Sequence, residues 1–189
     1  MTLKVQYINR KGNVYFVRCI DGKKGQQLIC SQKETADDLT SLPDGFEFSE
    51  NPNGRVTCRR KLNSLIKPEE MELAGTLTAT LAAPDLIKCE QKKNEIIIFS
   101  HPRLPDLSIL LPAPNKTEQE VKSILTEMVR YDPVLKFQLT DDAARIFKAY
   151  RRTCREKPDW LCLSMGSLND LIEKYAPHIE KKSFFKIFN

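Results

Sequence analysis

Three groups of basic residues are the side chains whose types and spacing could do chemistry in this sequence. The first surrounds the stretch "NVYFVRCIDGKKGQQLIC" at 13–30 and comprises Arg10, Lys11, Arg18, Lys23, Lys24 and Lys33. The second is Arg55, Arg59, Arg60 and Lys61; the third is Lys148, Arg151, Arg152 and Arg155, with Tyr150 among them. Cations set along a sheet or helix neutralise phosphates, and a β-ribbon fits the major groove of a duplex. On that chemistry the candidate nucleic-acid or anion contacts are Lys23, Lys24, Arg59, Arg60, Arg151 and Arg152. A plainer reading competes with it. Lysines at hairpin tips and strand edges keep sheets from pairing with one another. A formal net charge of +5 is also small for a dedicated nucleic-acid binder.

Catalytic and metal chemistry find little support. The sequence holds no G-x-S-x-G, no H-E-x-x-H, no phosphate-binding loop ending in Lys-Ser/Thr and no G-x-G-x-x-G. Its two histidines, His101 and His178, each sit beside a proline, which suits a loop or helix end better than a catalytic dyad. Asp141-Asp142 reads as first-turn helix charge or as turn residues rather than an acid/base pair. No C-x-x-C spacing occurs, so the sequence asks for no structural zinc and no cofactor. The six cysteines are Cys19, Cys30, Cys58, Cys89, Cys154 and Cys162. They are widely scattered, four of them inside apolar strand-like runs, and are expected as buried, reduced thiols.

The elements that must position these groups follow from periodicity. With 189 residues, 41% hydrophobic and 29% charged, the chain can bury a real core, as one medium domain or two small ones. "LKVQYIN", "VYFVRCI" and "QQLIC" alternate or are β-branched, and predict a three-stranded meander with a turn at Gly12-Asn13. At the tip between the second and third strands, Asp21-Gly22 suits a tight turn and Gly25 a bulge or left-handed position. Ser31 with Glu34 predicts a capped short helix anchored by Leu39 and Leu42. A hairpin follows, turning at Asn51-Pro52-Asn53-Gly54. Pro68 and Glu69-Glu70 open a helix that Pro84 ends.

"DLIKCEQKKNEIIIFS" predicts a hairpin turning at 92–94, "LSILLP" a short strand, and Thr117 with Glu120 a capped helix. "VLKFQL" is a strand by alternation. "TDDAARIFKAYRRTC" fits a helix through Ala143, Ile146, Phe147 and Tyr150. It also fits a turn and a strand pairing back on "VLKFQL"; periodicity favours the helix. "WLCLS" reads as a buried strand. "SLNDLIEKYAPHI" is a helix capped by Ser167 and ended near Pro177, and "SFFKIF" is an apolar tail that packs on the body. Hairpins alternating with single helices predict an α+β fold, with antiparallel hairpins and single helices packed on the sheets. Two halves, 1–67 and 68–189, are suggested by the clustering. Charge follows a similar division: residues 1–67 carry 12 Lys/Arg and 7 Asp/Glu, 68–143 carry 8 and 13, and 144–189 carry 10 and 5.

Residues 5–42, a meander with basic Gly-bounded turns and a short helix, resemble the arm-type DNA-binding domain of tyrosine recombinases. They depart from it at "QQLICS", which is neutral and apolar. Gly22-x-x-Gly25 is similar to the G-x-x-G loop of KH domains, although that loop joins two helices and this one joins strands. More of the chain, through "LPDGFEFSENPNGRVTCRRKLNSLIKPEEMEL" and "GSLNDLIEKYAPHIEKKSFFKIF", resembles a set of uncharacterised bacterial proteins. That resemblance implies a bacterial cytoplasmic protein and no particular activity. No apolar run spans a membrane and the first residues lack a signal pattern. The expectation is therefore a cytoplasmic, non-enzymatic binding or interaction protein with a protein partner and no membrane. A nucleic-acid-binding accessory protein is the alternative and an unrecognised enzyme the third reading.

Overall fold

Alternation turns into strands nearly wherever it occurs, and the resulting architecture is α+β with three antiparallel sheets. The computed structural model describes residues 3–22, 25–81, 87–101, 130–153, 159–179, 181 and 184. The chain divides into two compact units, Met1–Leu62 and Asn63–Asn189.

In the first unit, β1 (Gln6–Ile8), β2 (Val14–Gly22) and β3 (Gly25–Ser31) form a meander in that order. A separate hairpin joins β4 (Phe46–Glu50) to β5 (Val56–Arg60), and β3 packs against β5. Its turn follows the sequence signal: Asn51 Oδ1 accepts from the backbone N–H of Asn53 and Arg55, both at 3.0 Å, and Gly54 takes φ 80°. Val17 and Val56, with Pro52, are the buried apolar side chains described in this unit, so polar contacts matter more than usual. Buried Asn9 is the main one. Its Nδ2 donates to Gly54 O at 2.7 Å, and its Oδ1 accepts from Lys11 N and Asn13 N at 3.0 and 2.8 Å. A Cβ at Gly54 would come within 3.3 Å of that Nδ2, so this glycine serves both its turn and the close approach.

The helix expected from Ser31 does not form. Ser31 closes β3, and its Oγ accepts from Lys33 N at 3.1 Å. Residues 34–39 instead run beside β2. Leu39 N donates to Val17 O at 2.7 Å, Val5 N to Leu39 O at 2.9 Å, and Asp38 bridges Arg18. Asp38 also accepts from Thr35 N and Oγ1, a local turn that outcompetes a helix with two apolar anchors.

In the second unit, β6 (Ile87–Gln91), β7 (Glu95–Ser100), β8 (Asp132–Asp141), β9 (Ile146–Arg152) and β10 (Trp160–Gly166) form a five-stranded meander, each strand beside its predecessor. Helix α1 (Pro68–Leu81) and helix α2 (Leu168–Tyr175) pack together on one face of this sheet. Ile96, Ile98, Leu135, Phe137, Phe147 and Ala149 meet Ala74, Leu171, Ile172 and Tyr175 there, and Phe184 joins them. Asp170 N donates to Ser167 Oγ at 3.2 Å, the predicted cap. Leu65 N donates to Lys93 O at 2.7 Å, which ties the linker after residue 62 to this unit.

Two expectations are corrected here. Residues 146–152 are a strand, not a helix, because Phe147, Ala149 and Arg151 share the buried face while the residues between them do not. β10 is not a buried strand but the outer strand of the sheet, with Leu161, Cys162 and Met165 exposed. The expected strand "LSILLP", the helix opened by Thr117 and Glu120, and the stop at Pro84 lie outside the described residues. Among the described residues no helix is long and apolar enough to cross a membrane.

Candidate functional site

Which cations are free is decided by their partners. In the first unit several of the described basic residues are already paired. Arg10 Nε meets Glu50 Oε1 at 2.6 Å, Lys4 meets Glu34 at 2.9 Å, and Arg18 meets Asp38 at 3.6 Å. Of the candidates, Arg59 is held by Glu47 at 3.1 Å from the neighbouring strand. Exposed Arg60 lies 5.9 Å over the Phe46 ring. Adjacent strand residues point to opposite faces, so Arg59 and Arg60 do not act side by side. Lys23 and Lys24 lie outside the described residues; the strands are paired up to Gly22 and Gly25 on either side of them.

The same alternation separates Arg151 from Arg152. Arg151 is 8% exposed, on the helix-covered face, with its guanidinium 5.9 Å from the Phe184 ring. Arg152 is half-buried on the opposite, outer face. Arg59 and Arg60 belong to one unit, Arg151 and Arg152 to the other.

The outer face of β8, β9 and β10 brings together residues that the sequence left apart. Direct cross-strand pairing sets Lys148 between Gln138 and Met165, Tyr150 between Lys136 and Cys162, and Arg152 beside Trp160. The Lys136 ammonium lies 4.9 Å from the Tyr150 ring centre and 5.0 Å from that of Trp160, with Glu95 Oε1 at 3.0 Å. Cation–π attraction and one ion pair thus fix both rings across four strands. Lys148 and Arg152 flank Tyr150 along β9 and make no ion pair among the described residues. Lys136 and Trp160 were legible as strand residues, but only register joins them to Tyr150.

Several other ionisable groups are engaged within the fold. Burial pushes the Glu50 carboxyl up, but hydrogen bonds and charge from Arg10, with the Tyr7 hydroxyl at 3.1 Å, outweigh it and hold Glu50 below the usual carboxylate range. Asp38 is also lowered, first by the backbone N–H of Thr35. Asp141 and Asp142 are turn residues: Asp141 accepts from Ala144 N at 2.9 Å and Asp142 pairs with Arg145. His101 is buried with its ring edge-on to Tyr131 at 5.0 Å. Among the described residues no three His, Cys, Asp or Glu gather as metal ligands.

The five described cysteines are free, but the expectation that they are buried needs correction. Cys19 is exposed with Ile20 and Asp21 towards the tip of the β2–β3 hairpin, Cys162 is exposed beside Leu161 on the outer strand β10, and Cys30, Cys58 and Cys89 are half-buried. Burial and then the neighbouring Cys58 push the Cys30 thiol up to about 11, and burial does the same for Cys89. Cys154 lies outside the described residues. An open groove of about 820 Å³ in the first unit is lined by Leu3, Lys4, Phe16, Glu34 and Asp38. Its charged groups are engaged within the unit, by the Lys4–Glu34 and Arg18–Asp38 pairs, while Gln6 and Thr40 also line it.

No protein-family model matches this chain, and no curated protein or solved structure does.

Proposed function

We propose that this protein is a non-enzymatic binding protein that engages a macromolecular partner through the outer surface of its five-stranded sheet. The observation that carries this reading is the β9–β10 surface. Two cations without ion-pair partners among the described residues, Lys148 and Arg152, lie beside an outer strand whose seven residues, "WLCLSMG", carry no charge. Met165 is 63% exposed on that strand, next to Lys148. Sheet proteins usually blunt such a margin with charge or proline. An uncharged margin flanked by unpaired cations suits a partner that is partly apolar and partly acidic.

The test is affinity capture with the whole chain from extracts, comparing three forms. The unaltered protein and an Arg59→Glu/Arg60→Glu variant should retain the same partner, and a Met165→Lys/Arg152→Glu variant should lose it. A partner that stays on the sheet variant, or that leaves with the Arg59/Arg60 variant, would sink this reading.

A further inference from the structure

We infer that the outer face of β8–β10 binds single-stranded nucleic acid, with Tyr150 and Trp160 as base-stacking rings and Lys148 and Arg152 as phosphate contacts. This rests on the sheet-surface reading above and names its ligand.

The chemistry of the face selects the ligand. Tyr150 and Trp160 are both half-buried, so each residue keeps some exposure to solvent. Both are held by the same ammonium, that of Lys136, whose charge is balanced by Glu95. Rings fixed before binding lose little freedom on stacking. Lys148 and Arg152 are four residues apart on one strand face, a separation of about 13 Å at the usual strand rise. They bracket Tyr150, with Trp160 level with Arg152 on β10, so a ligand must offer negative charge at that spacing and flat surfaces beside it. A single strand does so, with a phosphate at each nucleotide and unpaired bases. A duplex hides the faces of its bases, and an acidic peptide offers a flat ring only where it happens to carry an aromatic residue.

The chain holds one tryptophan, so Trp160 emission reports this face alone. The probe is an oligothymidylate of about 12 nucleotides, within the span that single-strand-binding folds cover, titrated into the full chain at low salt. Saturable quenching of Trp160 is expected. The slope of log affinity against log salt should be near −1.4, about −0.7 for each of two phosphates on a single strand. Lys148→Glu with Arg152→Glu should weaken binding at least tenfold, and Tyr150→Ala by a similar factor. Arg59→Glu with Arg60→Glu should change nothing. If the charge reversals unfold the sheet by circular dichroism, Lys148→Gln with Arg152→Gln provides the same comparison, with the salt slope falling towards zero.

No quenching at low salt, equal quenching by a duplex of the same sequence, or affinity unmoved by the Lys148/Arg152 and Tyr150 variants would overturn the inference. If the oligonucleotide fails while a nuclease-resistant partner is still lost by the Met165/Arg152 variant in the capture experiment, the nucleic-acid assignment falls and the broader reading stands.

Discussion

Arg145 has φ 51°, a left-handed conformation that costs an L-residue with a Cβ about 1–2 kcal/mol. Its side chain explains why it stays there. Nε and Nη2 meet the two oxygens of Glu70 at 2.9 and 2.5 Å, Nη2 reaches Leu65 O at 3.1 Å, and Nη1 pairs with Asp142. A bidentate, largely shielded pair thus ties the β8–β9 turn to the first turn of α1. Two substitutions separate the strain from the contact. Arg145→Ala loses the pair and keeps the strain, whereas Arg145→Gly loses the pair and relieves it. Chemical denaturation should therefore find both variants less stable than the unaltered protein, with glycine about 1 kcal/mol more stable than alanine. The reverse order would mean that the backbone strain is not borne here. At this scale the sequence shows residue types but not partners. Arg59 looks like a free phosphate contact until register places Glu47 beside it, and Arg151 looks exposed until alternation turns it inward.

Elements were more legible than partners, with instructive exceptions. Strong local signals held: the Asn51–Gly54 turn, the Ser167 cap and the alternation in "VLKFQL" all became the elements they predict. "TDDAARIFKAYRR" satisfies both periods, since Ala143, Ile146, Phe147 and Tyr150 fit a helix while Phe147, Ala149 and Arg151 fit a strand face. The tie is broken by β8, whose Leu135, Phe137 and Leu139 need a neighbour with the same alternation. Such non-local pairing leaves no trace in a local window. The helix predicted from Ser31 fails for a related reason: the backbone of Leu39 finds its partner on β2. Asn9 is the clearest case of one residue joining two elements, because its three hydrogen bonds hold the β1–β2 turn and reach the β4–β5 turn. Asn9→Ala strands those groups in a buried setting and should cost about 2–3 kcal/mol. Hydrogen-exchange mass spectrometry should show faster exchange in 9–13 and 51–55, with the second unit unaltered; uniform protection would refute the role.

At the scale of the whole molecule, the two units rest on different physics, and acid should separate them. The second unit has a broad apolar core under two helices, whereas the first relies on buried Val17 and Val56 and on polar contacts at Asn9, Asp38 and Glu50. Glu50 and Asp38 are both lowered in the folded state, by Arg10 and by Thr35 respectively. Their stabilisation is fully present above the unfolded carboxylate values, near about pH 4. As pH falls below those values the unfolded chain takes up protons before the folded one does, and the contribution disappears once the folded groups protonate as well. Lowering the pH from 7 towards 3 should therefore open the first unit first. Exchange across 3–62 should rise while the emission of Trp160, which lies in the second unit, stays unchanged. Glu50→Gln should lower the stability of the first unit at pH 7 and flatten its acid dependence. Loss of Trp160 emission together with, or before, opening of the first unit would show that the acid-sensitive groups lie elsewhere. So would an acid dependence unchanged by Glu50→Gln. The expected order of events follows from where the charges are buried, since the first unit, built of strands alone among its described residues, hides less apolar surface than the helix-covered sheet of the second.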